Sequence, residues 1–244
     1  MKRSLAIVAL VVAQVSIAAP NEIKVFTDEL ANYGEHTLET HVNKASRAGP
    51  RAENRATPLQ IMPEYSYGIW RNWEFSFQLP IAEQDRAFRS DGYRAELQYV
   101  APHDGSSGYY WGVNVEVGRI ARKGEDGVWA SELMPILGYR QDRWHFVANP
   151  GVSLALTGNR RTVNFDPSAK VAYRTSEKNY LGLEYYVEAG PLRQFSPRED
   201  RAQTLFLVWD GKVGKSDINL GIGRGFTESS DRWVLKMIYE ISFR

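Results

Sequence analysis

The stretch WEFSFQLPIAEQ, residues 73–84, sets Trp73, Phe75, Phe77, Leu79 and Ile81 at every second position. Glu74, Ser76, Gln78, Pro80 and Ala82 fill the places between. Successive side chains of a β-strand leave opposite faces, so this alternation specifies a strand with one apolar and one polar face. Two environments satisfy such a strand. A soluble sandwich buries the apolar face as its core and wets the polar face. A membrane barrel does the inverse, with lipid outside and a polar lumen inside.

The same rhythm runs to the end of the chain. Strands are expected near 36–44, 58–69, 72–83, 92–101, 109–120, 129–140, 144–157, 164–175, 180–191, 203–210, 217–225 and 232–243. Most are about 9–12 residues long, the length a tilted strand needs to cross a bilayer. In 109–120, Trp111, Val113, Val115 and Val117 alternate with Gly112, Asn114, Glu116 and Gly118. In 232–243, Trp233, Leu235, Met237, Tyr239, Ile241 and Phe243 oppose Lys236, Glu240 and Ser242. No helical period of useful length competes.

The connections alternate in length. Short ones fall at 70–71, 103–108, 141–143, 176–179 and 210–216; longer, arginine-rich ones fall at 45–57, 84–91, 121–128, 158–163 and 192–202, with a brief 227–231. Short turns at one end and longer loops at the other fit a membrane barrel. Aromatics gather near the short turns: Trp70, Trp73, Tyr99, Tyr110, Trp111, Tyr139, Trp144, Tyr173, Tyr180 and Trp209. Rings with polar tips collect at membrane–water boundaries, so these ten are expected to form a girdle. The reading is an all-β, closed, antiparallel up-and-down transmembrane β-barrel of about twelve strands. A soluble secreted β-barrel binding protein is the alternative, and it would need charge on the apolar faces that these strands almost entirely lack.

At the N-terminus, Lys2 and Arg3 precede an apolar run from Leu5 to Ile17, and Ser16-Ile17-Ala18 offers a small-x-small cleavage site. This reads as a signal peptide over 1–18, because the run is below the roughly 20 residues that span a bilayer as a helix. Residues 19–35 are expected to be a periplasmic segment and 36–244 the barrel. A mean hydropathy of −0.42 does not argue against a membrane, since alternating strands average to polar. There is no cysteine to form a disulfide or carry a lipid. The net charge of +1 gives no field for nucleic acid.

The leader, the alternating strands and the aromatics Tyr239 and Phe243 in the last strand resemble Gram-negative outer-membrane β-barrel proteins. PEYSYGIWRNWE and NLGIGRGFTESSDRWVLK are similar to segments of uncharacterised members of that class. The resemblance implies residence in the outer membrane, contact with its lipid and lipopolysaccharide, and recognition of the terminal aromatic strand by the barrel-assembly machinery.

Alternation assigns Glu39, Glu64, Glu74, Glu96, Glu116, Glu132, Asp166, Glu184, Glu188 and Glu240 to the lumen, with Arg94, Arg140, Lys170, Arg174 and Lys236. Two outcomes are open. The charges could close into a paired network that fills the barrel, or line a narrow passive channel that favours cations. Twelve strands lie between barrels that fill and barrels that conduct. The loop bases Arg47, Arg51, Arg55, Arg86, Arg89, Arg122, Lys123, Arg160, Arg161, Arg193, Arg198 and Arg201 suit either a solvated rim or lipopolysaccharide phosphates. No catalytic residue and no cofactor are expected. His145, Asn149 and Ser153 share a face, but four residues of strand is about 13 Å, too far for a direct Ser–His pair. A barrel enzyme acting on lipid would have to draw its pair from separate strands. His36, His41, His103 and His145 are too scattered in sequence to read as a metal site.

Overall fold

The computed structural model describes residues 23–46, 59–84, 87–120, 127–158 and 162–244. The leader over 1–18 lies outside them, as do Arg47, Arg51, Arg55, Arg86, Arg122, Lys123, Arg160 and Arg161. The described strand segments are β1 (His36–Ala45), β2 (Leu59–Trp70), β3 (Trp73–Gln78), β4 (Ile81–Gln84), β5 (Ala87–Ser90), β6 (Gly92–Val100), β7 (Gly108–Ile120) and β8 (Val128–Gln141). They continue as β9 (Trp144–Asn149), β10 (Val152–Ala155), β11 (Val163–Phe165), β12 (Ser168–Ser176), β13 (Asn179–Glu188), β14 (Ala202–Val213), β15 (Ser216–Gly225) and β16 (Trp233–Phe243).

Four of these pairs are single barrel strands interrupted locally. Pro80 separates β3 from β4, Pro150-Gly151 separates β9 from β10, and Pro167 separates β11 from β12. Proline has no N–H to give the ladder, so each interruption is where the sequence places it. Asp91 alone parts β5 from β6. The result is a closed barrel of twelve antiparallel strands. Closure is made by β1, which pairs with β2 on one side and β16 on the other, His36 opposite both Tyr67 and Phe243. No edge is left for hydrocarbon to desolvate.

The turns between β2 and β3 and between β8 and β9 carry Asn72 and Asp142 in the left-handed region, and Gly214 does so between β14 and β15. Asn and Asp tolerate that conformation better than other side-chain-bearing residues. The strand leading to Gly214 runs on through Val213, so that connection is tighter than the expected 210–216 loop.

The barrel is apolar outside. Phe75, Phe77, Leu97, Val115, Leu133, Phe146, Val171, Leu183, Leu207, Ile222, Leu235 and Met237 are all exposed on its exterior. A water-soluble molecule does not display so continuous an apolar surface. At the short-turn rim the aromatics touch across strands: Trp73 with Tyr99 at 4.7 Å between centroids, Tyr99 with Trp111 at 5.8 Å and Trp144 with Tyr173 at 4.9 Å. Trp129 stacks edge-on with Tyr93 at the opposite rim, and Trp233 there lies under Arg224. Trp70, Tyr139 and Trp209 also take the outward face.

Two of the ten expected girdle residues do not. Tyr110 is buried, facing the lumen, because its neighbours Tyr109 and Trp111 both point outward and alternation leaves it no choice. Tyr180 falls on the same parity as Gly182 and Glu184 and so belongs to the lumen side, opposite Asp210. Of the expected periplasmic segment 19–35, residues 19–22 lie outside the described residues, and Tyr33 to Glu35 stand beside Gly68 at the short-turn rim. Residues 23–31 pack within the barrel, where Val25 and Phe26 are buried against Val100, Tyr110, Met134, Ile136 and Val147. Apolar side chains in a segment with no strand partner bury only by entering the lumen, where the wall offers these residues.

Candidate functional site

The lumen combines three elements: rows of carboxylates, paired bases, and the N-terminal segment laid across them. Cross-strand register builds the rows. Asp217 lies opposite Glu240, Glu240 opposite Glu39, and Glu39 opposite Glu64. A second row joins Glu96 to Glu116 and Glu116 to Glu132. Like charges directly opposite one another repel, so both rows require compensation.

Part of it comes from the wall. Arg94, fully buried, has Nε 3.4 Å from Glu116. Lys170 bridges Glu184 at 3.1 Å and Asp210 at 2.8 Å, while Lys236 donates to the other Glu184 oxygen, which also accepts from the Tyr186 hydroxyl at 2.7 Å. The structure therefore gathers Lys170, Glu184 and Lys236 into one network. Arg174 stands apart, exposed at the short-turn rim and donating to the Asp142 carbonyl. Glu188 lies at the far end of β13, opposite Ala202.

The N-terminal segment adds Lys24 to the first row and its own ties to the wall. Its entry runs beside β2, where Tyr33 bridges Gly68 and the Gly34 N–H donates to the Gly68 carbonyl at 2.9 Å. A Cβ at Gly68 would sit 2.0 Å from the Asn32 carbonyl oxygen, so only glycine admits this approach. The Ala31 N–H donates to Glu74 at 2.5 Å. Asp28 accepts from Arg140 at 2.5 Å and contacts His103 at 2.9 Å. Asn149 clamps Phe26 by accepting from its N–H at 2.9 Å and donating to its carbonyl at 3.0 Å. Lys24 reaches Glu39 at 2.9 Å, and Lys236 donates to the Ile23 carbonyl at 3.0 Å. Burial by itself would raise the Asp28 carboxyl; the hydrogen bond and charge of Arg140, with His103, outweigh it and hold the group below its ordinary 3.8.

Sequence reasoning missed Lys24, Phe26, Asp28 and His41 as lumen participants; it put Asn149 on the polar face without its hold on Phe26. The spacing Glu39-x-His41 already puts a carboxylate and an imidazole on one face of β1, a signal that was available. The contacts of Phe26 join residues 123 apart in the chain and left no local trace. His145 Nε2 meets the Tyr110 hydroxyl at 2.7 Å, and Ser153 donates to Asp166 at 2.7 Å.

The chain matches no protein-family model and no curated protein. Its fold is similar to that of an outer membrane channel from Pseudomonas putida F1, with a TM-score of 0.65, 14% identity, and coverage of 91% of this chain and 100% of that one. It is also similar to the NanC porin, with a TM-score of 0.53, 11% identity, and coverage of 85% and 99%. Fold, exterior and closure together are those of an outer-membrane β-barrel.

Proposed function

We propose that this outer-membrane barrel is a narrow passive channel for small cationic solutes, constricted by its own N-terminal segment. The observation that carries this reading is the mode of attachment of residues 23–31. They are held by side-chain hydrogen bonds and ion pairs to the wall, which can be exchanged one at a time, and not by a strand ladder. Rows of carboxylates in register give a permeating cation successive places to rest, as acidic rings do in cation-selective pores. The similarity in fold to an outer membrane channel supports the reading.

The channel reading assigns no catalytic residue; Ser153 donates to Asp166 and His145 meets Tyr110, so the two do not pair with each other. Arg89, Arg193 and Arg198 at the long-loop end are exposed and suited to phosphates of lipopolysaccharide. The aromatic last strand is what the barrel-assembly machinery would engage. The test is conductance of the folded full chain in a planar bilayer under a KCl gradient. The expected result is small ohmic steps with a cation-selective reversal potential, enlarged by Phe26→Ala combined with Asp28→Ala. Silence from both proteins would overturn the channel and leave a closed, plugged barrel.

A further inference from the structure

We propose that Glu39, His41 and Glu64 form a binding site in the barrel wall for a divalent transition-metal cation of the zinc class. The inference is independent of whether the lumen conducts. Glu39 and His41 stand two residues apart on β1 and so share its inner face, and Glu64 is the cross-strand partner of Glu39 on β2. One donor atom from each lies within 4.8 Å of the others. Small rotations of three side chains would bring those atoms to the spacing of about 3.3 Å that ligands at 2.0–2.2 Å keep around a tetrahedral ion. Imidazole with carboxylates is a donor set that zinc-class ions accept and that magnesium or calcium, which take oxygen, do not favour.

Two observations separate this cluster from an ordinary acidic patch. The first concerns His41, which is 1% exposed. Its Nε2 makes ion-pair contacts with both carboxylates, 2.5 Å from Glu39 and 3.5 Å from Glu64, and its Nδ1 has no hydrogen-bond partner. A buried imidazole that presents Nε2 to two carboxylates at once, with its other nitrogen unpartnered, faces the point that a cation shared by all three would occupy. The second concerns charge. Glu39 is flanked in register by both Glu64 and Glu240, three carboxylates side by side on one inner face. A divalent ion held by Glu39 and Glu64 cancels that repulsion, as buried charge demands.

Lys24 is the competitor. Its ammonium sits 2.9 Å from Glu39, the position from which it supplies positive charge to the same carboxylates. A metal ion and Lys24 therefore contend for Glu39. By linkage, whatever metal binding costs the docked N-terminal segment, docking costs the metal equally. The opposing explanation is a permanent ion-pair network of Lys24 and a protonated His41 with the two glutamates, which binds no metal.

The two explanations separate in a calorimetric titration of the folded, tag-free full chain with Zn²⁺, alongside visible absorption of Co²⁺ added to the same protein. The site predicts one Zn²⁺ per chain and intense Co²⁺ bands of tetrahedral character. His41→Gln and Glu64→Gln should each weaken Zn²⁺ by at least about tenfold, the scale on which disturbing a metal's surroundings is felt. Lys24→Met should tighten it. Absence of stoichiometric Zn²⁺ binding to the wild-type chain would overturn the proposal, as would a folded His41→Gln variant of unchanged affinity. Should the wall variants fail to fold, Lys24→Met still decides, because it leaves all three proposed ligands in place. Affinity unchanged or weaker in that variant contradicts the site.

Discussion

At the scale of residues, the lumen is specified by contacts that pair small with large. Tyr110 lies over Gly138, its partner in register, and a Cβ at Gly138 would come within 1.9 Å of the ring. Gly138→Ala should therefore expel Tyr110 from its place beside His145 and cost about 1–3 kcal/mol, the range of overpacking in a filled interior. Urea unfolding in detergent measures it, and an unchanged midpoint would mean the ring is not seated there. Asp28 offers a test by pH. A carboxyl whose folded value is depressed contributes its full stabilisation above its ordinary 3.8 and loses it as pH falls through the lowered value. Protease access to residues 23–35 should accordingly stay low down to pH 3.8, rise only below it, and lose that acid step in Asp28→Asn. Tyr110 also shows where the sequence misled. Three aromatics in a row, Tyr109, Tyr110 and Trp111, read as a girdle by density, while parity alone assigns the middle one inward.

At the scale of elements, alternation was sufficient to place most of the wall. The opening stretch forms β3 and β4 with Phe75 and Phe77 outward and Ser76 and Gln78 buried inward, and its break falls at the proline. The strands were legible because period two is a property of each segment by itself. Leu183, mid-strand in β13 between Val171 and Leu207, tests the environment of that outer face. Leu183→Arg should cost about 2–4 kcal/mol near the bilayer midplane. The same arginine would be nearly neutral if the face met water, so folding yield into lipid vesicles distinguishes the cases. The N-terminal segment was not legible. Residues 23–35 have no period, and what holds them is distributed over β1, β2, β3, β8, β9 and β16. Only the closed barrel brings those strands around one lumen.

At the scale of the whole molecule, the interior polarity and exterior apolarity are one arrangement seen from two sides. Closure forces each strand to show one face to each medium, and the short-turn rim collects aromatics because the membrane boundary lies there. The tryptophans report on this directly. Trp70, Trp73, Trp111, Trp144 and Trp209 lie at the short-turn rim and Trp129 and Trp233 at the other, all on the exterior, and the chain holds 7 in total. The measurement is quenching of their fluorescence in vesicles whose lipids carry bromine at defined depths, compared with quenching by aqueous acrylamide. Strong quenching by bromine near the headgroups, weaker quenching by bromine at the chain ends, and poor access for acrylamide are the expected pattern. Free quenching by acrylamide with no response to brominated lipid would contradict a lipid-facing exterior.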